Sequence, residues 1–248
     1  MEVAVGKSVN GGALALVMLA AIAVAPVAQA NGPVVGRSAG GIAPLRTDEV
    51  QLVSERVFVH LGDMEATCTY ELRNLSDSTR SLQMSFVVED ERSYERYRDA
   101  FEVTVNRRDV PVHLEKTDVP QWAGFVRAVP ESLPVWEVVI PAKGVTKVHI
   151  KYGVAWGGGA DGHHVYREFT YYAKSASLWA GEIEEASISF LFPSLEAELL
   201  QCSPECVGLK AEPADWSWRG QTIHWTRANW EPEEDFQVAL DWLEGDEQ

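Results

Sequence analysis

Thr146-Lys147-Val148-His149-Ile150-Lys151-Tyr152-Gly153-Val154-Ala155-Trp156 alternates apolar and polar residues without a break. Val148, Ile150, Tyr152, Val154 and Trp156 fall on one face; Lys147, His149, Lys151 and Gly153 fall on the other. Period-two alternation of this length is the mark of a strand with one side in a core and one in water. A helix would scatter these apolar residues around its axis.

The same rhythm extends outward in both directions. Upstream, Pro141-Ala142-Lys143-Gly144 reads as the turn of a hairpin with Trp136–Ile140. Val50–Leu61 and Glu65–Asn74 alternate in the same way, and Asn74-Leu75-Ser76-Asp77-Ser78 supplies turn chemistry for a hairpin with Arg80–Val88. Phe101–Val105 and Val110–Leu114 form another hairpin around Asn106-Arg107-Arg108-Asp109. Downstream, Tyr166–Ala173, Ala186–Phe192, Trp216–Trp218, Ile223–Trp225 and Phe236–Trp242 continue the pattern. A short helix fits only at Ser93–Asp99. Many short strands at this spacing indicate an antiparallel β-sandwich of immunoglobulin-like type.

The first thirty residues belong to a different class. A polar lead with Lys7 precedes the apolar run Ala13–Val24; Pro26 then breaks any helix, and Ala28-Gln29-Ala30 offers a small-x-small cleavage pattern. This is the form of a cleavable signal peptide, with cleavage expected after Ala30. The apolar run falls short of the about 20 residues a bilayer span requires. The expected location is therefore the periplasm or the exterior, with no membrane span after cleavage. The glycine-rich stretch 31–44 reads as a flexible lead. The remainder divides at Gly157–Gly162 into an N-terminal sandwich over 45–156 and a C-terminal β subdomain over 157–248, or runs through that stretch as one domain.

The net charge of −16 excludes the basic surfaces that nucleic acids and anionic membranes require. Residues 231–248 hold eight acids and no base, a pattern of solubilising charge. A calcium site would need carboxylates converging from a loop, and no spacing here provides one. Three cysteines, Cys68, Cys202 and Cys206, allow a local Cys202–Cys206 disulfide, a cross-strand pair using Cys68, or three of the four thiolates of a zinc site. Cys68 shares parity with Ala66, Tyr70 and Leu72, which places it on the apolar face. Asp161, with His163 in Asp161-Gly162-His163-His164, is the only stretch with transition-metal chemistry. Adjacent histidines on extended backbone point to opposite sides, so they seldom hold one ion.

Nine tryptophans are present. Trp136, Trp156, Trp218, Trp225 and Trp242 sit at core parity. Trp122 and Trp230 fall in loops, where an exposed pair could stack on sugar rings as in a carbohydrate-binding module. No G-x-S-x-G, H-E-x-x-H, P-loop or dinucleotide glycine pattern occurs. A hydrolase would need a site gathered from distant loops. The residues thus suggest a non-enzymatic exported protein, without a cofactor, whose partner is a protein or a glycan.

Three segments carry a resemblance. They are Gly40-Gly41-Ile42 with the strand from Val50 and Tyr70-Glu71-Leu72-Arg73-Asn74; Trp179-Ala180-Gly181-Glu182-Ile183; and Asn229-Trp230-Glu231-Pro232 before Phe236. With its glycine-rich lead, Y-x-x-x-N strand, W-x-G-x-I segment and N-x-E-P turn, the chain resembles exported bacterial proteins grouped as domain of unknown function family 4424. Those proteins often carry Phe-Pro after the second strand, where this chain has Phe86-Val87. The resemblance implies an extracytoplasmic β fold and no activity.

Overall fold

The computed structural model describes residues 28–30, 33–39, 41–86, 101–122, 131–161, 164–194, 196–197, 200 and 208–243. Nearly all of their regular structure is strand. In chain order the strands are β1 (Ala28–Ala30), β2 (Val34–Ser38), β3 (Gly41–Pro44), β4 (Val50–His60), β5 (Glu65–Asn74), β6 (Arg80–Ser85), β7 (Glu102–Val105), β8 (Arg108–Asp109) and β9 (His113–Lys116). After the four-residue helix α1 (Val119–Trp122) come β10 (Ser132–Ile140), β11 (Val145–Gly153), β12 (Gly157–Asp161), β13 (His164–Tyr172), β14 (Ile183–Leu191), β15 (Lys210–Glu212), β16 (Ser217–Arg219), β17 (Thr222–Trp230) and β18 (Phe236–Leu243).

The largest sheet has eight strands in the order β16-β17-β14-β4-β5-β11-β7-β8. Two five-stranded sheets, β3-β2-β6-β10-β9 and β1-β13-β18-β15 with β12 on β13, cover one of its faces. Contacts between rings show how the layers meet. Phe86, just after β6, lies 4.7 Å from Tyr152 of β11; Phe169 of β13 lies 5.3 Å from Phe190 of β14; and Trp225 of β17 lies 5.4 Å from Phe236 of β18. The buried sets Ala66, Cys68, Tyr70, Leu72 on β5 and Val148, Ile150, Tyr152 on β11 face this core. Their outward neighbours form cross-strand ion pairs in water: Lys147–Glu71 at 2.8 Å and Lys151–Glu65 at 2.7 Å. The all-β architecture and the apolar parity of the main strands agree with the sequence.

Several connections do not. β5 and β6 lie in different sheets, as do β10 and β11, so the two polar turns are arches between layers and not hairpins. Turn residues reverse the chain equally well in either case, and the buried face of each strand still meets the common core. Between β7 and β8 the hairpin is real, with Asn106 and Arg107 at φ of 50° and 65°. It ends after two rungs, and His113–Lys116 crosses to pair with β10. The sheets are also mixed: β14 runs parallel to β4, from Glu185 opposite Ser54 to Leu191 opposite His60.

The lead expected to be flexible supplies β2 and β3, and Val34 and Val35 pair with Met84 and Gln83 of β6. Its glycines hide the alternation. Gly157–Asp161, expected as a loop, is β12, paired with β13. The eight-stranded sheet takes β4, β5, β7, β8 and β11 from before this stretch and β14, β16 and β17 from after it. The helix expected at Ser93–Asp99 lies outside the described residues. So does most of the leader, although Ala28–Ala30 runs parallel to Thr170–Tyr172.

Candidate binding edge

The two tryptophans expected on the surface are inside. Trp122 closes α1 and is fully buried. Trp230 is 9% exposed, with its ring 5.6 Å from Phe236. The reason is local. β17 buries Ile223 and Trp225, and strict alternation would send residue 230 outward. Asn229 adopts φ of 48°, a left-handed conformation that asparagine tolerates better than most residues. The strand turns there and delivers Trp230 opposite Ile183. This pair therefore offers no exposed sugar-stacking surface.

Asp161 ends β12 opposite His164. His163, Cys202 and Cys206 lie outside the described residues. Among the described residues, no three His, Cys, Asp or Glu side chains are gathered as a metal site. Cys68 is free and fully buried, with Sγ 3.7 Å from Tyr152 Oη. Burial pushes its thiol up to about 12.

Cys68 belongs to a polar cluster inside the core. Glu55 of β4 is fully buried; Tyr171 Oη donates to its Oε1 at 2.5 Å, and Tyr70 Oη lies 3.2 Å from Tyr171 Oη. Burial raises all three tyrosines, Tyr70, Tyr152 and Tyr171, well above their ordinary range. The cluster joins β4 and β5 of the large sheet to β13 of the opposing layer. No member is open to solvent, so its role is to tie the layers together.

A group of partly buried aromatic rings lies at β16, the edge of the large sheet. On its core side four aromatic rings form a chain. Trp156 lies 6.4 Å from Phe192, Phe192 lies 5.9 Å from Trp218, and Trp218 meets Trp216 at 5.9 Å and 89°. Phe192 is buried, whereas the three indoles are only partly covered. Their N–H groups make no hydrogen bond within the described residues, unlike Trp225, whose Nε1 donates to Pro213 O at 2.7 Å. Partly buried indoles with open donors have an apolar face and a polar handle, the combination enriched at contact surfaces.

The opposite face of the same edge is polar. Ser217 and Ser189 flank His224 on its two neighbouring strands, and Arg219 stands across from Thr222. Ser189 Oγ lies 2.8 Å from His224 Nδ1. Burial, and then the charge of Arg219, hold the imidazole below its ordinary range. A serine–histidine contact suggests nucleophilic catalysis, but both groups are more than nine-tenths buried and His224 Nε2 has no hydrogen-bond partner. Among the described residues no carboxylate meets the ring, the place that a triad's acid would take.

No protein-family model matches the chain. No curated protein matches it either. Among solved structures it is similar to a Legionella pneumophila protein described as "a putative nutrient binding protein". The TM-score is 0.61, with 18% identity over 85% of this chain and 72% of that one. At that identity the likeness is one of fold. Aminopeptidase A of Legionella pneumophila also matches, with a TM-score of 0.31 and 6% identity over 84% of this chain and 22% of that one, too distant to carry an argument.

Proposed function

We propose that this protein is exported and acts outside the cytoplasm as a non-enzymatic binding protein, with its ligand surface on the Trp156–Trp218–Trp216 edge. The observation that carries this reading is the run of three partly buried indoles whose N–H groups make no hydrogen bond among the described residues. Trp225 is buried with its donor satisfied, and Trp136 and Trp179 are buried with theirs unpaired, so it is partial exposure that sets these three rings apart. Trp216 and Trp218 stand at 89°, so they form a corner and not a flat platform. A corner suits a compact group, such as one sugar ring or one side chain of a peptide. The leader-like first thirty residues support export. The similarity to a protein described as nutrient binding agrees with a binding role and adds nothing about which ligand.

A thermal-shift screen of residues 31–248 against glycans, cell-wall fragments and peptides tests the reading. A ligand that binds only the native state raises the midpoint by mass action. The expected result is a shift with one class that disappears in Trp216→Ala. A shift that persists unchanged in Trp216→Ala places the ligand elsewhere and overturns the proposal.

A further inference from the structure

β12 is an outer strand without the features that keep outer strands from pairing. It bonds to β13 on one side, from Gly157 opposite Glu168 to Asp161 opposite His164, and among the described residues no strand lies on its other side. Alternate residues of such a strand turn their N–H and C=O to the same side, so the free side of β12 presents a row of donors and acceptors. The other outer strands are protected. β8 is two residues, Arg108 and Asp109; β9 and β15 carry lysine; β16 is three residues with Arg219; β3 ends in Pro44; and β1 is three residues long. Short length, charge and proline are the usual means of blocking an edge. β12 has five residues, no lysine and no proline, and its charge is confined to Asp161 at the end.

The packing of β12 on β13 explains why the strand is bare. Gly158 has φ of 152°, and a Cβ there would meet Tyr166 O at 2.2 Å. A Cβ on Gly159 would press on the Tyr166 ring, 3.1 Å from its Cε1. Glycine at 158 is therefore required for the two strands to approach, and its consequence is an edge with almost no side chains to crowd a neighbour. Aromatic rings stand at the border of this edge. Tyr166 is 42% exposed, and Trp156, one residue before the strand, begins the chain of rings through Phe192 to Trp218.

We propose that the free edge of β12 binds an extended peptide of a partner protein, which adds as a further strand of the sheet. An extended backbone offers acceptors and donors at the spacing of the row, and its side chains find room above and below the glycines. The net charge of −16 favours a peptide with basic side chains over an acidic one. It also disfavours a second copy of this chain as the occupant, because each copy brings the same excess of acids. A peptide bound here names the ligand class of the tryptophan edge as well, and in that respect it rests on the binding role proposed above. The main-chain pairing on β12 stands apart from that role.

Random peptides of about seven residues, the length of an ordinary strand, are displayed on phage and panned against the purified protein, and the enriched ones are synthesised. A bound peptide should slow amide hydrogen exchange at alternate residues of 157–161 by about tenfold or more. Methylating alternate backbone nitrogens of the peptide, with the protein unaltered, should weaken binding by about tenfold or more in one of the two registers and much less in the other. No enrichment over the unselected library overturns the proposal. So does an enriched peptide that leaves exchange at 157–161 unchanged, or that binds equally well with either set of nitrogens methylated. Slowed exchange at 157–161 with affinity unchanged in Trp216→Ala upholds the added strand and removes the tryptophan edge. Affinity lost in Trp216→Ala with exchange at 157–161 unchanged does the reverse.

Discussion

Tyr171 of β13 donates its hydroxyl to the buried carboxyl of Glu55 on β4 at 2.5 Å, across the interface of two sheets. This bond fixes how the small sheet sits on the large one. Removing the hydroxyl while keeping the ring isolates its contribution. Tyr171→Phe takes one donor from the buried Glu55 carboxyl and one partner from Tyr70 Oη, and should cost about 2 kcal/mol. Urea unfolding gives the number. A change within about 0.5 kcal/mol of zero, the range of an ordinary surface substitution, would mean the cluster is not a tie between layers.

Asn74 holds the two arches together. Its Nδ2 lies within 3.1 Å of the carbonyls of Ser78, Ile140 and Pro141, and its Oδ1 accepts from Ser76 N and Oγ. Asn74→Ala should destabilise by roughly 2 kcal/mol, because the buried Ile140 carbonyl and the part-buried Ser78 and Pro141 carbonyls lose their donor at once. Asn74→Asp should be no better, since a carboxylate repels the same carbonyls. Equal stability of Asn74→Asp and the native protein in a denaturant series would refute the assigned geometry.

The pH dependence of stability follows from His224. Its folded pKa lies below the ordinary 6.5, first through burial and then through Arg219. The unfolded chain therefore binds more protons in the window from 6.5 down to the folded value. The contribution is fully present above pH 6.5 and is lost as pH falls through that window. Between pH 7 and pH 5 the native protein should lose more stability than His224→Gln. Parallel curves would show that the imidazole is not held neutral by its surroundings.

Cys68, with its thiol pushed up to about 12 and no exposed surface, should not react in the folded protein. In a Cys202→Ser/Cys206→Ser background, a thiol reagent at pH 8 should label nothing until denaturant is added. Rapid labelling of the native protein would place Cys68 at the surface.

The sequence carried the strands better than the connections. β4, β5, β11 and β14 announce themselves because each has one wet face and one dry face. The arches after β5 and β10 have the sequence of hairpins because asparagine, serine and glycine reverse a chain without stating which sheet receives it. The parallel pairing of β4 with β14 joins segments about 130 residues apart, as in the Arg56–Glu185 bond, and no local pattern encodes it. At the candidate site, Trp156 and Trp218 were legible only as core parity. That Trp218 ends only partly buried reflects the position of β16 at a sheet edge, which is a property of topology. Ser189 and His224 meet across 35 residues through strand register alone. Trp230 was misplaced by a single left-handed residue, Asn229.

The central claim is that the edge carrying Trp156, Trp218 and Trp216 receives the ligand. Fluorine NMR of protein labelled with 5-fluorotryptophan tests it most directly, with resonances assigned through single substitutions and the first ligand that raises the thermal midpoint as titrant. The account predicts that Trp216 and Trp218 shift with saturation, Trp156 less so, while buried Trp122, Trp136 and Trp225 stay in place. Shifts confined to those buried rings, or none at the edge when the protein is saturated, would contradict it.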